Sequence, residues 1–188
     1  MLFSLNHDRI PTMENNNGIE INKEDNTPWE SKIIPSEYNI FNTQPGYIET
    51  VNLANKVSDL PFEQLIEATK QNQTGEKRIL VDLDTTTHAM IPAGMSEKEV
   101  IELYKLIETG VFTFHQANAD EANKEFSPKY NECLDILSAT SERASEQGYG
   151  LPVQLSQYGY VFVPPNLTEE QVKFLNHILF SGVEIYKE

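Results

Sequence analysis

The apolar residues between positions 79 and 114 recur at regular intervals and predict an ordered series of elements. Apolar residues occupy the odd positions from Ile79 to Leu83, and a second strand-like segment, residues 88–91, ends at Pro92. A polar turn separates the two, which predicts a β-hairpin. A helical pattern follows and ends at Gly110, after which residues 111–114 return as a strand. Residues 79–114 therefore read as a β-β-α-β unit.

The helix of this unit carries its own start signal. Ser96, followed three residues later by Glu99, fits a capping box, in which each side chain satisfies a backbone amide of the other residue. One apolar face follows at helical spacing. It consists of Val100, Leu103, Tyr104 and Ile107.

The same order of signals returns after a shift of 72 residues. Pro164 replaces Pro92, Gly182 replaces Gly110, and Thr168 with Gln171 forms a second capping box. Residues 79–114 and 151–186 align without a gap, and agreement of so many independent signals favours an internal duplication.

The predicted fold class is α+β, with a duplicated β-β-α-β unit over residues 79–114 and 151–186. Amphipathic patterns predict a helix before each copy, at about residues 60–73 and 129–146, and a short helix over residues 119–126. The body spans residues 51–188 and contains two related units, about 60–114 and 129–186. An extended N-terminal arm precedes it.

Residues 1–50 form this arm, because their apolar residues come in ones and twos between polar stretches and four prolines. Such a segment buries too little apolar surface to offset the entropy lost on ordering. We therefore predict an extended, mostly irregular arm that packs on its own body or on a neighbouring chain, and we favour the neighbour. The candidate anchors to a partner are Phe3, Trp29, Ile33, Tyr38, Phe41 and Tyr47.

Charge and cysteine content narrow the function classes. The formal net charge of −15 weighs against direct binding of nucleic acid through a basic surface and against attraction to anionic lipid. Cys133 is the single cysteine and has no internal disulfide partner. No window approaches the roughly 18 apolar residues that a membrane span needs. We expect a soluble, intracellular protein without a membrane partner.

One short segment has the pattern of a catalytic motif. An apolar strand ends at Asp82, Asp84 follows two residues later, and threonines come next. This segment resembles the first motif of the haloacid dehalogenase-like phosphatases, and the resemblance implies Asp82 as nucleophile, Asp84 as acid/base and magnesium as cofactor. No later acidic pair on a second apolar strand completes the metal site, and Gln154 and Ser156 stand at the corresponding positions of the second copy. Both observations favour an ordinary hairpin.

Other candidate chemistry is sparse. His7, His88, His115 and His177 lie far apart, and none has a second ligand at metal-binding spacing. Cys133 falls on the apolar side of a predicted helix, where a thiol packs as a small apolar group. The sequence therefore assigns no catalytic residue, no cofactor site and no metal site.

Three function classes remain. The first and preferred class is a non-enzymatic structural or assembly protein, such as a bacteriophage virion subunit, whose arm binds protein partners that can include copies of itself. The second is an acidic inhibitor that imitates DNA, of the antirestriction or anti-CRISPR type, although its acidic helix positions are interleaved with lysines. The third is an enzyme of unrecognised type, with Asp82 and Asp84 as its only motif.

Overall fold

The structure is a computed structural model. It describes residues 41, 63, 65–66, 78–92, 95–115, 126, 128–157 and 159–188, and the backbone of residues 13–14 and 20–21. This part of the chain is a mixed α+β structure. Its elements in chain order are β1 (Met13–Glu14), β2 (Glu20–Ile21), β3 (Ile79–Asp82), β4 (Thr87–Ile91), α1 (Glu97–Glu108), β5 (Phe112–His115), α2 (Tyr130–Gln147), β6 (Leu151–Gln154), β7 (Gly159–Val163), α3 (Glu169–Phe180) and β8 (Glu184–Lys187).

The predicted elements of the body are confirmed within about two residues where the structure describes them. Glu63, Leu65 and Ile66 are helical, in agreement with the helix predicted over residues 60–73. The short helix predicted over residues 119–126 lies outside the described residues apart from Phe126. Within the arm, β1 pairs with β2 in a two-residue antiparallel ladder.

Both predicted capping boxes are present and fix where two of the helices begin. Ser96 and Glu99 exchange side-chain and backbone bonds at the start of α1, and Thr168 and Gln171 do the same for α3. Both helices end at a glycine with positive φ, 98° at Gly110 and 92° at Gly182, a conformation in which a β-carbon is strained.

Strands β3 to β8 form two three-stranded sheets, and each sheet takes strands from both β-β-α-β units. The hairpin β3–β4 is completed by β8, and the hairpin β6–β7 is completed by β5. The last strand of each β-β-α-β unit thus pairs with the hairpin of the other unit. All of these pairings are antiparallel.

The two sheets have the same register after the shift of 72 residues. Ile79 faces Ile91 across one hairpin, as Leu151 faces Val163 across the other. Ala89 faces Ile185, as Val161 faces Thr113. Every paired position agrees in this way, so the two halves of the body have one strand plan.

The exchanged strands β5 and β8 meet at positions 113 and 185, which correspond to each other in the two units. The Thr113 hydroxyl donates to the Ile185 carbonyl (3.2 Å) and accepts from the Ile185 amide (2.8 Å). Thr113 is buried. One side chain therefore satisfies two main-chain groups where the two sheets join.

The main apolar core of the described residues lies between one face of both sheets and the helices. Burial alternates along β3 and β7, so that every second residue faces this core. The helices contribute their apolar stripes, including Val100 and Leu103 of α1 and Val172 and Leu175 of α3, all in one cluster with Leu65 and Leu137. Helix α2 packs against α3 and β6.

The opposite face of the second sheet carries an aromatic ladder across β5 and β7. Phe112 stacks on Phe162 (ring centroids 4.9 Å apart), and Phe114 stacks on Tyr160 (5.2 Å). A β-carbon at Gly150 would lie 2.3 Å from the Phe162 ring, so this position needs a glycine. The rings pack against one another and support the pairing of the exchanged strand β5.

We predict that Thr113→Val destabilises the body by about 1–3 kcal/mol, because valine leaves a buried amide and carbonyl of Ile185 without their partner. Thr140→Val is the matched control. Thr140 is also buried, but its hydroxyl donates to the Ile136 carbonyl within α2, where the helix supplies the main-chain bonds. Chemical denaturation measures both variants. Equal losses in the two variants would contradict the role given to Thr113.

Candidate functional site

A cluster of buried charged and polar side chains lies beside β8. We call Arg78, His115, Glu184 and Tyr186 the charged cluster. The Glu184 carboxylate accepts from Arg78 Nη1 (2.9 Å) and from Tyr186 Oη (2.5 Å), and its other oxygen lies 2.6 Å from His115 Nε2. Arg78 also donates to the Gly182 carbonyl (3.2 Å). Glu184 is fully buried and Arg78 is 2 % exposed.

The ionised form of Glu184 is stabilised by its neighbours. Burial by itself raises the pKa of this carboxyl, but the hydrogen bonds from His115 and Tyr186 and the charge of Arg78 outweigh burial and hold the pKa below its ordinary value of 4.5. Burial and the Glu184 carboxylate both raise the pKa of Tyr186 above 10.0. Tyr186 therefore stays a neutral donor at neutral pH.

The Glu184 carboxylate of the charged cluster forms a buried ion pair with Arg78. Three donors point at one carboxylate, which leaves it little capacity to attack a substrate or take up a proton. His115 Nδ1 is buried and has no hydrogen-bond partner in the part of the chain that the structure describes. After the shift of 72 residues, Arg78, Glu184 and Tyr186 correspond to Gly150, Phe112 and Phe114, and His115 corresponds to Lys187. The cluster links the two sheets, because His115 lies on β5 and Glu184 and Tyr186 lie on β8.

The two aspartates of the phosphatase-like segment have local roles in the β3–β4 hairpin. Asp84 Oδ1 accepts from the amides of Thr86 and Thr87, both at 2.7 Å, and the bond to Thr86 is the largest of the effects that lower the pKa of Asp84. Asp82 lies 2.8 Å from His88 Nδ1 across the strand pair. The antiparallel strand that follows differs from the parallel arrangement implied by the resemblance.

Ser156 repeats the role of Asp84 in the second hairpin. Its hydroxyl accepts from the Gly159 amide at 2.8 Å, at the position that corresponds to Thr87. A serine performs the same turn function as the aspartate. The carboxylate of Asp84 is therefore explained by turn formation.

The remaining histidines and the cysteine are separate from one another. His177 Nε2 lies 3.4 Å from Glu99 Oε1 between α3 and α1, and His7 lies outside the described residues. Among the described residues, no group of three or more histidine, cysteine or acidic side chains is placed to hold a metal ion. Burial raises the pKa of the Cys133 thiol to about 12, with a smaller effect of Glu132. The thiol is therefore protonated at neutral pH.

The C-terminal end of α3 is covered by other parts of the same chain. We call the surface of Leu155, Asn176 and Phe180 the α3 socket. The Phe41 ring stacks on Phe180 with centroids 4.2 Å apart, and Tyr130 lies 5.1 Å from the same ring. Asn176 Nδ2 donates to the Tyr130 carbonyl (3.0 Å), and all three socket residues are buried.

The corresponding end of α1 is a pocket. We call it the α1 pocket; its volume is about 180 Å³. Leu83, Tyr104 and Glu108 stand where Leu155, Asn176 and Phe180 stand in the α3 socket. Its rim carries exposed charged residues. The full lining is Leu83, Asp84, Thr87, Tyr104, Ile107, Glu108, Gly110, Val111, Phe112 and Lys187.

Of the six predicted arm anchors, the structure describes Phe41. Its ring is partly buried in a cluster with Cys133, Tyr130 and Phe180 of its own chain. Phe3, Trp29, Ile33, Tyr38 and Tyr47 lie outside the described residues and remain predictions. The sequence analysis missed the charged cluster and the α1 pocket. Comparing the copies position by position would have indicated the cluster, because charged residues there replace a glycine and an aromatic residue.

Comparison of the chain with protein-family models, with curated proteins and with solved structures finds no match. In the described part of the chain, none of the helices has the length and apolar character needed to cross a membrane.

We predict that Glu184→Gln destabilises the protein by about 3–5 kcal/mol, because the change removes the buried carboxylate that pairs with Arg78. Glu102→Gln is the control, since Glu102 bonds to Lys105 at 2.9 Å on the surface, and its loss should cost less than about 1 kcal/mol. Denaturant titration at pH 7 measures both variants. Losses of similar size would contradict the structural role of the charged cluster.

The pH dependence of the unfolding free energy at acidic pH provides a second measurement on the same variants. The folded-state pKa of Glu184 lies below 4.5, so its contribution is complete above about pH 4.5 and is lost as the pH falls through the folded-state pKa. Unfolding free energy measured from pH 6 to pH 2 should fall less steeply in Glu184→Gln than in Glu102→Gln.

Proposed function

We propose that this chain is a non-enzymatic assembly protein, a subunit of a larger complex that uses its N-terminal arm to bind neighbouring chains. One observation carries the proposal: Phe41, a single aromatic residue of the arm, stacks on Phe180 at the α3 socket. At least one residue of the arm therefore docks onto a folded body, in this case that of its own chain. An aromatic ring brings a large apolar contact at a low entropic cost, which suits docking by an extended segment.

The body suits this role if it arose by duplication of one β-β-α-β unit, which we also propose. The identical registers of the two sheets after a shift of 72 residues support the duplication. Duplication supplies two corresponding helix ends, the α3 socket and the α1 pocket. One is covered by a residue of the arm, and its counterpart offers a second place for a side chain to enter.

The proposal of a non-enzymatic role is supported by the use of the described acidic residues. Asp84 caps a turn, Asp82 contacts His88, and Glu184 is enclosed by three donors. These side chains have structural roles that account for their presence. Catalysis in contrast needs an acid, base or nucleophile within reach of a substrate.

We predict that the arm crosslinks to other polypeptides. A photoreactive phenylalanine derivative is placed at Tyr38, at Tyr47 or, as the matched control, at Tyr149 of the body, which is 59 % exposed. Each variant is irradiated in the cells from which the sequence derives, and crosslinked products are identified by mass spectrometry. The two arm positions should give one or a few defined intermolecular products in higher yield than Tyr149.

Two outcomes of this experiment would contradict the proposed function. In the first, the arm positions crosslink only within their own chain. In the second, they give no more intermolecular product than Tyr149, as expected for random collision of an exposed aromatic residue.

A further inference from the structure

The α1 pocket and the α3 socket share a backbone plan but differ in charge. Phe180, which supports the Phe41 ring, is replaced by Glu108 in the pocket, and the buried Ser156 is replaced by the exposed Asp84. Lys187 also lines the pocket. Two carboxylates and one ammonium group leave its rim with a net negative charge.

The replacement of Phe180 by Glu108 changes which side chain can enter. The Glu108 carboxylate accepts a hydrogen bond from Tyr104. An apolar ring placed as Phe41 is placed would remove this carboxylate from water and add no further hydrogen bond, which costs free energy. A guanidinium group avoids this cost. Its planar fork of N–H donors matches a carboxylate, and its flat face stacks on aromatic rings.

We propose that the α1 pocket binds an arginine side chain presented by a basic segment of a partner protein. This inference rests on the proposed function, since it assigns to the pocket the docking of a chain segment. The guanidinium contacts the Glu108 and Asp84 carboxylates, and the aromatic residues Tyr104 and Phe112 also line the pocket that receives it. The net charge of −15 favours approach of a basic partner.

Two further features of the pocket support an arginine. The hydrogen bonds from the amides of Thr86 and Thr87 to Oδ1 fix the orientation of the Asp84 carboxylate at the rim. The volume of about 180 Å³ is suited to one side chain and not to a folded element. The occupant of the corresponding α3 socket is also a side chain of a polypeptide, Phe41, which favours a protein partner over a free metabolite.

The test uses the full chain labelled with ¹⁵N and titrated with N-acetyl-arginine N-methylamide, which carries the side chain as a peptide does. The matched probe is the citrulline analogue, which has nearly the same shape without the charge. Arginine should give saturable amide shifts grouped at residues 84–87, 104–112 and 187, and citrulline should give none. Shifts that are absent, scattered over the body or equal for the two probes would overturn the proposal.

Three exposed-site variants test the electrostatic part. Glu108→Gln should weaken arginine binding about tenfold, the effect of losing one charge-assisted hydrogen bond. Lys187→Gln should strengthen binding, because it removes the like charge. Glu146→Gln, at an exposed position on α2, should leave binding unchanged. Unchanged binding in Glu108→Gln, or weaker binding in Lys187→Gln, would overturn the proposal.

An aromatic probe and a dilution series distinguish the other occupants. Tighter binding of N-acetyl-phenylalanine N-methylamide than of arginine would overturn the choice of a cation. If arginine binding is lost as the protein concentration rises, and the amides of the same residues shift, a second copy of the chain occupies the pocket. That result would also overturn the proposal. The titration and the crosslinking experiment are independent. A negative titration would therefore contradict arginine binding by the α1 pocket without contradicting partner binding by the arm.

Discussion

The exchange of β5 and β8 between the two hairpins is the constraint on which the rest of the body depends. Each hairpin alone is a two-stranded sheet, and such sheets are marginal in water. The third strand of each comes from the unit of the other hairpin, so neither half has a complete sheet without the other. Where the exchanged strands meet, the Thr113 hydroxyl forms hydrogen bonds with both the amide and the carbonyl of Ile185. In the charged cluster, Arg78 forms a buried hydrogen bond with Glu184 of β8.

Local structure was predictable because its causes are local. The capping boxes at Ser96 and Thr168, the stops at Gly110 and Gly182 and the alternation along β3 each depend on residues a few positions apart. Strand exchange was not predictable in this way, since the pattern of β5 shows that one face is buried but does not show which hairpin it joins. The Arg78–Glu184 pair spans more than a hundred positions and depends on that exchange.

Divergence between two copies of one plan links the structure to the proposed function. Arg78, Glu184 and Tyr186 of the sheet β3–β4–β8 correspond to Gly150, Phe112 and Phe114 of the sheet β5–β7–β6. A buried ion pair therefore stabilises the first sheet, and stacked aromatic rings stabilise the second. The helix ends differ in the same manner. Phe180 receives an aromatic ring from the arm, whereas Glu108 lines a pocket with exposed charges at its rim. If the body arose by duplication, as we propose, one helix end can bind its own arm while the other adapts to a different partner.

Differential scanning calorimetry of the full chain tests most directly whether the exchange makes the body one cooperative unit. We expect a single transition in which the calorimetric enthalpy equals the van't Hoff enthalpy, because unfolding of either unit removes a strand from the sheet of the other. Two resolved transitions, or a calorimetric enthalpy about twice the van't Hoff enthalpy, would mean that the halves unfold independently and would contradict this expectation.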